Sequence, residues 1–335
     1  MSKYNKISNV MEMGLRVDRG KRGRDGSRSG RGKSDCTMRE YRYEIDLYCR
    51  WVAEREGTQR IPYDRYHGLI QDYVADMVDR GLSPYTIHKR LSALCAATHE
   101  RMEDYQHPRR GRPAKGRYER PERYHTRAKD RERVREIAGH IGIRRAELCD
   151  LRGRDLIERD GHLYVHVRAG KGGKEHDQLI LPAHDDAVRG IFAPCGPDEY
   201  VLTRDQARAS AEASTHAERR AIAREAYDWY IALPERERED VWRPWMRDRL
   251  LDKWERRQDR DRLSDRDVRD RARAEWEREW ASIRERPVRQ CRGANRAELI
   301  RQGRDPQYDR EAVYFVSLAV LSHYREDVTV THYLI

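Results

Sequence analysis

The sequence predicts a mostly α, α+β protein: a small all-helical domain, then a larger, mainly helical one with a small antiparallel sheet. Three observations predict it. Apolar residues recur at helical spacing between residues 39 and 106. An alternating apolar stretch turns back on itself through glycines near residue 170. Tryptophans three and four apart stand in a charge-dense tract farther on. At 335 residues the chain is long enough for two domains, each with its own core.

Residues 1–38 contain "RVDRGKRGRDGSRSGRGKSD", rich in Arg, Gly and Ser, and read as a basic flexible arm or a solubilising tail. Residues 39–106 change character. "YEIDLYCRWVAERE" sets Ile45, Tyr48, Trp51 and Val52 on one helical face. "YHGLIQDYVADMVDRG" does the same with Leu69, Ile70, Tyr73, Val74 and Met77, and Gly81 is a natural stop. The next helix has Ser83 as N-cap and Pro84 as its first residue, ahead of Ile87, Leu91 and Leu94.

Residues 107–127 form a basic linker too rich in Pro, Gly and Arg for a helix. Within it "RGRP", Arg110 to Pro113, matches the core of peptides that lay Arg110 and Arg112 in a narrow A·T minor groove. An ordinary basic hinge is the simpler alternative. Residues 128–335 make the second domain. "DRERVREIAGHIGIRRAELCDL" carries Val134, Ile137, Ile141, Leu148 and Leu151 on one face. "HLYVHVRAGKGGKEHDQLILP" is a hairpin with Lys171 and Lys174 on either side of its glycines. The tract at about 205–286 holds six of the seven tryptophans and reads as a helical insertion, expected to serve assembly more than DNA binding.

With 37% hydrophobic and 39% charged residues, the cores must be lean. A net charge of +11 points to a polyanionic partner, since a basic surface associates with phosphate backbones without reading sequence. The six cysteines lie far apart with no Cys-x-x-Cys pair, which argues against a zinc site and a disulfide framework. Neither a signal peptide nor a membrane span is legible. A cytoplasmic protein without membrane association, metal or cofactor is the expectation.

Three fragments carry chemistry: "GIRRAELCDL" with Arg144 and Glu147, the Lys171 hairpin, and a C-terminal part with Arg296, His323 and Tyr333. In this order, behind a helical domain containing "GLSPYTIHKRLSAL", they resemble the tyrosine recombinase (phage integrase) family. Its pattern is Arg, a hairpin Lys, His-x-x-Arg, His or Trp, then Tyr. The resemblance implies a helical core-binding domain and a catalytic domain that enclose double-stranded DNA, Lys89 and Arg90 among the DNA contacts, and a homo-oligomer on DNA, a tetramer in active members.

It also implies roles. Arg144 and Arg296 clamp the scissile phosphate with planar forks that keep their charge. Glu147 orients Arg144. Lys171 protonates the leaving 5′ oxygen, and His323 bonds the phosphate or assists proton transfer. Tyr333 attacks to form a 3′-phosphotyrosyl link that stores the bond energy for rejoining. The implied function is site-specific strand exchange in integration and excision of a mobile element. Arg145 is the fallback for Arg144 and Lys174 for Lys171, while Tyr324 is an alternative hydroxyl to Tyr333 that lies too close to His323 for the family's usual arrangement.

The pattern is departed from in three places. Around Arg296 the string is "RGANRAEL", so Gly293 stands where the box histidine belongs. The His323-to-Tyr333 interval is one residue longer than in many members. Only Leu334 and Ile335 follow the tyrosine, which puts the family's tail-mediated subunit linkage in doubt and leaves the insertion to supply it. The missing histidine keeps open a catalytically inactive DNA-binding protein of the same fold; a relaxing type IB topoisomerase shares the chemistry.

Overall fold

The computed structural model describes residues 5–20, 35–110, 124–170, 174–255, 264–323 and 325–335. The chain divides into two units, Met1–Arg117 and Tyr118–Ile335.

In the first unit Ile7, Met11 and Leu15 stand four apart and form the buried stripe of helix α1 (Ile7–Gly20). Gly14 lets that helix come close: a Cβ there would lie 1.9 Å from the Ala97 carbonyl oxygen. The flexible arm expected over residues 1–38 therefore gives way to a packed helix at Ile7–Gly20. The stripe is short and was masked by the Arg-Gly-Ser run behind it; residues 21–34 lie outside the described ones.

Helices α2 (Asp35–Glu56), α3 (Tyr63–Asp79) and α4 (Pro84–Thr98) complete the unit. Their starts and stops follow the sequence signals. Ser83 accepts from the Thr86 backbone N–H, Pro84 opens α4, and Gly81 ends α3 at φ +70°. The core joins Ile45, Tyr48 and Val52 of α2 to Leu69, Tyr73 and Met77 of α3 and to Ile87, Leu91 and Leu94 of α4.

The second unit is also mostly helical, around a small antiparallel sheet. Helix α5 (Ala128–Ile141) ends at Gly142, whose φ of +70° lets its N–H reach Ala138 O. After the short α6 (Arg145–Asp150) come β1 (Leu156–Arg159), β2 (His162–Gly170) and β3 (Lys174–Leu179), paired in that order. Leu156 faces Val165 and Tyr164 faces Leu179. The β1–β2 turn, which sequence reading missed, uses Asp160 and Gly161 at positive φ, the requirement of a tight hairpin turn. One sheet face, through Leu163, Val165 and Val167, packs with Val134 and Ile137 of α5 and Val188 of α7 (Asp185–Phe192).

The other face, through Tyr164, joins a second core. After α8 (Arg204–Ala209), helix α9 (Thr215–Ala232) crosses this core with Ile222, Ala226 and Tyr230. A single turn α10 (Glu235–Glu237), α11 (Arg243–Glu255) and α12 (Asp265–Glu285) follow. Trp242 is fully buried, its ring 5.3 Å from Trp229 and 5.2 Å from Phe315 of α14 (Arg310–Ala319). The helices expected over residues 205–286 are formed, and their tryptophans join the unit's own core.

Strands β4 (Val288–Gln290) and β5 (Gln307–Asp309) pair antiparallel on either side of α13 (Gly293–Arg301). The chain closes with α15 (Glu326–Thr329) and a wide π-helical turn, Val330–Leu334. No helix among the described residues is long and apolar enough to cross a membrane.

Gly14→Ala tests whether α1 belongs to the first core. Overpacking against the Ala97 carbonyl should destabilise the first unit by about 1–3 kcal/mol. In urea unfolding, its transition moves to lower concentration while that of the second unit stays in place. Unmoved curves would mean that α1 is not packed there.

Candidate active site

Arg144 is the N-cap residue of α6, and Glu147, three positions on, turns back to it. The Glu147 carboxylate accepts from the Arg144 backbone N–H at 2.9 Å and from its Nη1 at 2.6 Å. Glu147 is buried, which pushes its carboxyl up, but the charge and hydrogen bonds of Arg144 outweigh this and hold it below its ordinary value. The neighbouring Arg145 is exposed. Of the two arginines, it is Arg144 that Glu147 holds.

A second guanidinium comes from a place sequence reading passed over. Arg219 of α9 is 1% exposed. Its Nη1 donates to Gly142 O at 2.7 Å and to Gln178 Oε1 at 3.4 Å, and its Nη2 donates to Leu321 O at 2.7 Å. Arg144 Nη2 reaches the same Leu321 carbonyl at 3.3 Å, so the two cations stand side by side. Burial, then the like charge of Arg144, pushes Arg219 down to about 10, while the Tyr333 hydroxyl and Glu147 push back. It keeps its charge at neutral pH. Gly142 serves the contact twice: it adopts the left-handed conformation, and a Cβ there would lie 2.8 Å from Ile222 Cγ2 of α9.

After α14 the chain turns through Ser322, at φ +48°, into His323. The ring Nδ1 accepts from the Arg325 backbone N–H at 3.2 Å. Burial, then the charges of Arg219 and Arg144, pushes this imidazole down to about 3. A neutral ring whose Nδ1 accepts carries its proton on Nε2, and that atom is buried without a hydrogen-bond partner. It is a donor waiting for an acceptor.

Tyr333 sits in the π-helical turn, 7% exposed. Its ring lies 5.7 Å from His323, 5.5 Å from His216 and 6.0 Å from the Arg219 guanidinium carbon. His216 is one turn before Arg219 on α9, and burial, then Arg219 and Arg220, pushes it below its usual value. Arg144, Arg219, His216, His323 and Tyr333 therefore meet in one place.

Arg296 does not. It is exposed on α13, and its side chain makes no hydrogen bond or ion pair among the described contacts. The guanidinium that stands beside Arg144 is that of Arg219, not Arg296, and the imidazole three positions before it is His216. The string "HAER", His216 to Arg219, has the His-x-x-Arg spacing. Its helical register with Ile222, Ala226 and Tyr230 was the available signal.

Lys171, Arg112 and Tyr324 lie outside the described residues. Lys174 opens β3 opposite Gly170, so the hairpin expected to carry the lysine is formed. In the first unit Lys89 Nζ and Arg90 Nε pair with buried Glu44 at 2.7 and 3.2 Å, and Arg90 also donates to the Tyr73 hydroxyl. Arg90 thus ties α2, α3 and α4 together, while half of the Lys89 side chain stays in water. Arg110 is exposed, its guanidinium 5.9 Å from the Tyr85 ring. Among the described residues no group of three or more His, Cys, Asp and Glu side chains is arranged to hold a metal ion.

Residues 28–101 match the family model described as "Phage integrase, N-terminal SAM-like domain". A solved structure, "Crystal structure of XerA recombinase", is similar at 16% identity over 65% of this chain and 84% of that one, with a TM-score of 0.21. No curated protein matches.

The two arginines make His323 a test of the site's electrostatics. Its ring should remain neutral, with the proton on Nε2, from pH 8 down to at least about pH 5. Nitrogen shifts of the labelled ring read this directly; titration near the ordinary value would mean that the cations are not beside it. Because the unfolded chain takes up this proton near pH 6.5 and the folded one only near 3, the group removes stability progressively as pH falls through that window.

Proposed function

We propose, from the premise that this chain carries the N-terminal SAM-like domain of phage integrases, that it is a site-specific tyrosine recombinase acting on double-stranded DNA. It cuts and rejoins strands through a 3′-phosphotyrosyl intermediate, in integration and excision of a mobile element. The observation that supports this best is the convergence of two guanidiniums, two neutral imidazoles and one phenol from three separate stretches of chain.

The charge balance favours a phosphodiester. Arg144 and Arg219 bring two positive charges, Glu147 one negative, and the histidines none, so the site is short of one anion. A phosphate between the forks takes hydrogen bonds on its nonbridging oxygens and gains most as charge builds there in the transition state. The Nε2–H of His323 adds a neutral donor. As the Tyr333 oxygen bonds to phosphorus, the phenol proton passes to His216, the neutral base beside its ring. The bond to the 5′ oxygen breaks, and Lys171 supplies the proton that the departing oxygen needs. The link retains the energy of the broken bond, so the reverse attack by a 5′ hydroxyl rejoins the strand.

The basic first unit and linker fit a duplex partner, with Lys89, Arg110 and Arg112 as phosphate or groove contacts, and pairing of two sites calls for a tetramer on DNA. The inactive DNA-binding reading rested on the gap at Gly293. With His216 and Arg219 in the pattern, it loses its motive.

Nicked suicide duplexes from DNA flanking the chain's own gene test the reading. Wild type should become joined to a 3′ end on a denaturing gel, and Tyr333→Phe should not. An adduct in both, or in neither across candidate duplexes, would sink it; relaxation of supercoiled DNA without strand exchange would favour a topoisomerase.

The two arginine assignments separate cleanly in the same assay. Arg219→Lys keeps a charge but cannot bridge Gly142 O and Leu321 O, and should slow adduct formation by about 10²–10³-fold. Arg296→Ala should stay within about twofold of wild type, since exposed substitutions away from the site cost little. The opposite ranking would restore Arg296 as the clamp.

A further inference from the structure

The chemistry above does not use the segment from β4 to the start of α14, yet this segment holds the Tyr333 stretch along its whole length. At the start of that stretch, Glu326 of α15 pairs with Arg289 of β4 at 2.9 Å and with Arg310 at 3.2 Å. In the middle, Asn295 Nδ2 of α13 donates to Thr331 Oγ1 at 3.3 Å. At the end, the Leu334 carbonyl accepts from Arg304 Nη2 at 2.9 Å and from the Tyr308 hydroxyl at 3.1 Å. Arg304 Nη2 also donates to that hydroxyl at 3.2 Å, which closes the clasp into a triangle. Between the polar ties, Leu299 and Tyr308 pack with Val330, Leu334 and Ile335.

Such support is needed. Helix α15 is four residues long and runs into one π-helical turn. A segment this short does not hold itself, because helix nucleation is unfavourable and few residues repay it. The position of the phenol is therefore set by what grips the segment from outside. Arg310 passes the grip on, donating to Ser282 O at 2.6 Å and Arg286 O at 3.1 Å at the end of α12.

We propose that β4, α13 and β5 form a saddle that positions Tyr333, with Arg304 and Tyr308 as the positioning residues that clasp the carbonyl following it. This rests on the reading of Tyr333 as the nucleophile. Among the described contacts the saddle makes no hydrogen bond or ion pair with either guanidinium of the site; besides the segment that bears the tyrosine it meets α9 at Tyr227, whose ring lies 5.4 Å from that of Tyr308. It gives the long tract between Arg219 and His323 a role in the reaction itself.

The test uses the full chain, with Arg304→Ala/Tyr308→Phe as the unclasped variant. Amide exchange should speed up at least about tenfold in residues 326–335 and stay unchanged in α9. On the nicked duplexes, the maximal rate of adduct formation should fall between about 10- and 100-fold, the loss expected when a reacting group drifts by about an ångström. The duplex concentration giving half-maximal rate should not move, as it would if DNA binding were damaged. Tyr308→Phe alone, with Arg304 still on the carbonyl, should recover most of the rate.

Unchanged exchange in 326–335, or a maximal rate equal to wild type, overturns the saddle. If the double variant also loosens α9, Arg304→Gln with Tyr308→Phe replaces it under the same criteria. Absence of an adduct in wild type would overturn the nucleophile reading and with it the positioning role. The exchange measurement needs no DNA, so it shows separately whether the clasp holds the segment.

Discussion

A fully buried guanidinium, Arg219, is the constraint around which the second unit is organised. Taking one ion out of water costs on the order of several kcal/mol even after relaxation, and no carboxylate bonds to this one directly among the described contacts. Its donors instead meet carbonyls at Gly142 and Leu321 and the amide oxygen of Gln178. Those acceptors sit at the end of α5, in β3 and just after α14. The three regions must arrive together or the charge is left unpaid. Gly142 lacks a Cβ, Gln178 is buried with its own amide donating to Ile141 O at 2.6 Å, and the chain turns left-handed at Ser322. Each is a local consequence of that one buried charge.

The same charge determines the state of the groups around it. Two cations at one carbonyl repel, and a single carboxylate, Glu147, balances only half of them. Burial first, and then these charges, holds the nearest histidines neutral, and a neutral imidazole can donate from one nitrogen while accepting at the other. This division of labour follows from proximity. Without the arginines, burial alone would still depress His323, but the preference for a bound anion would be gone.

Much of this was legible in the sequence, and the failures have physical causes. The helices of the first unit announce themselves through apolar spacing and through Ser83, Pro84 and Gly81, because caps and periodicity are local properties. The β2–β3 hairpin, Arg144 with Glu147, and the proximity of His323 to Tyr333 were legible for the same reason. Arg219 was marked only by its helical register with Ile222, Ala226 and Tyr230, a weak signal, since burial is a tertiary property and the chain holds many arginines. Tryptophan content made its helix look like an added module, although Trp242 and Trp229 fill the core on which α14 rests. Arg296 was picked out by order alone, and order cannot tell an exposed residue on α13 from a buried one on α9.

Core packing and the saddle also bear on why so charged a chain needs so many tryptophans. With few aliphatic residues available, each large aromatic ring replaces several of them in area buried per position. Trp229, Trp242 and Trp245 converge on Phe315 of α14, and α14 leads directly to Leu321 and His323. Downstream of the same tract, β4, α13 and β5 reach Glu326, Thr331 and Leu334. One end of the tract thus fixes the carbonyl that the arginines share, and the other fixes the segment that bears the tyrosine. The spacing between the two guanidiniums and the Tyr333 phenol depends on both attachments. A change in the tract's core would therefore be felt as a change in alignment before it was felt as loss of the fold.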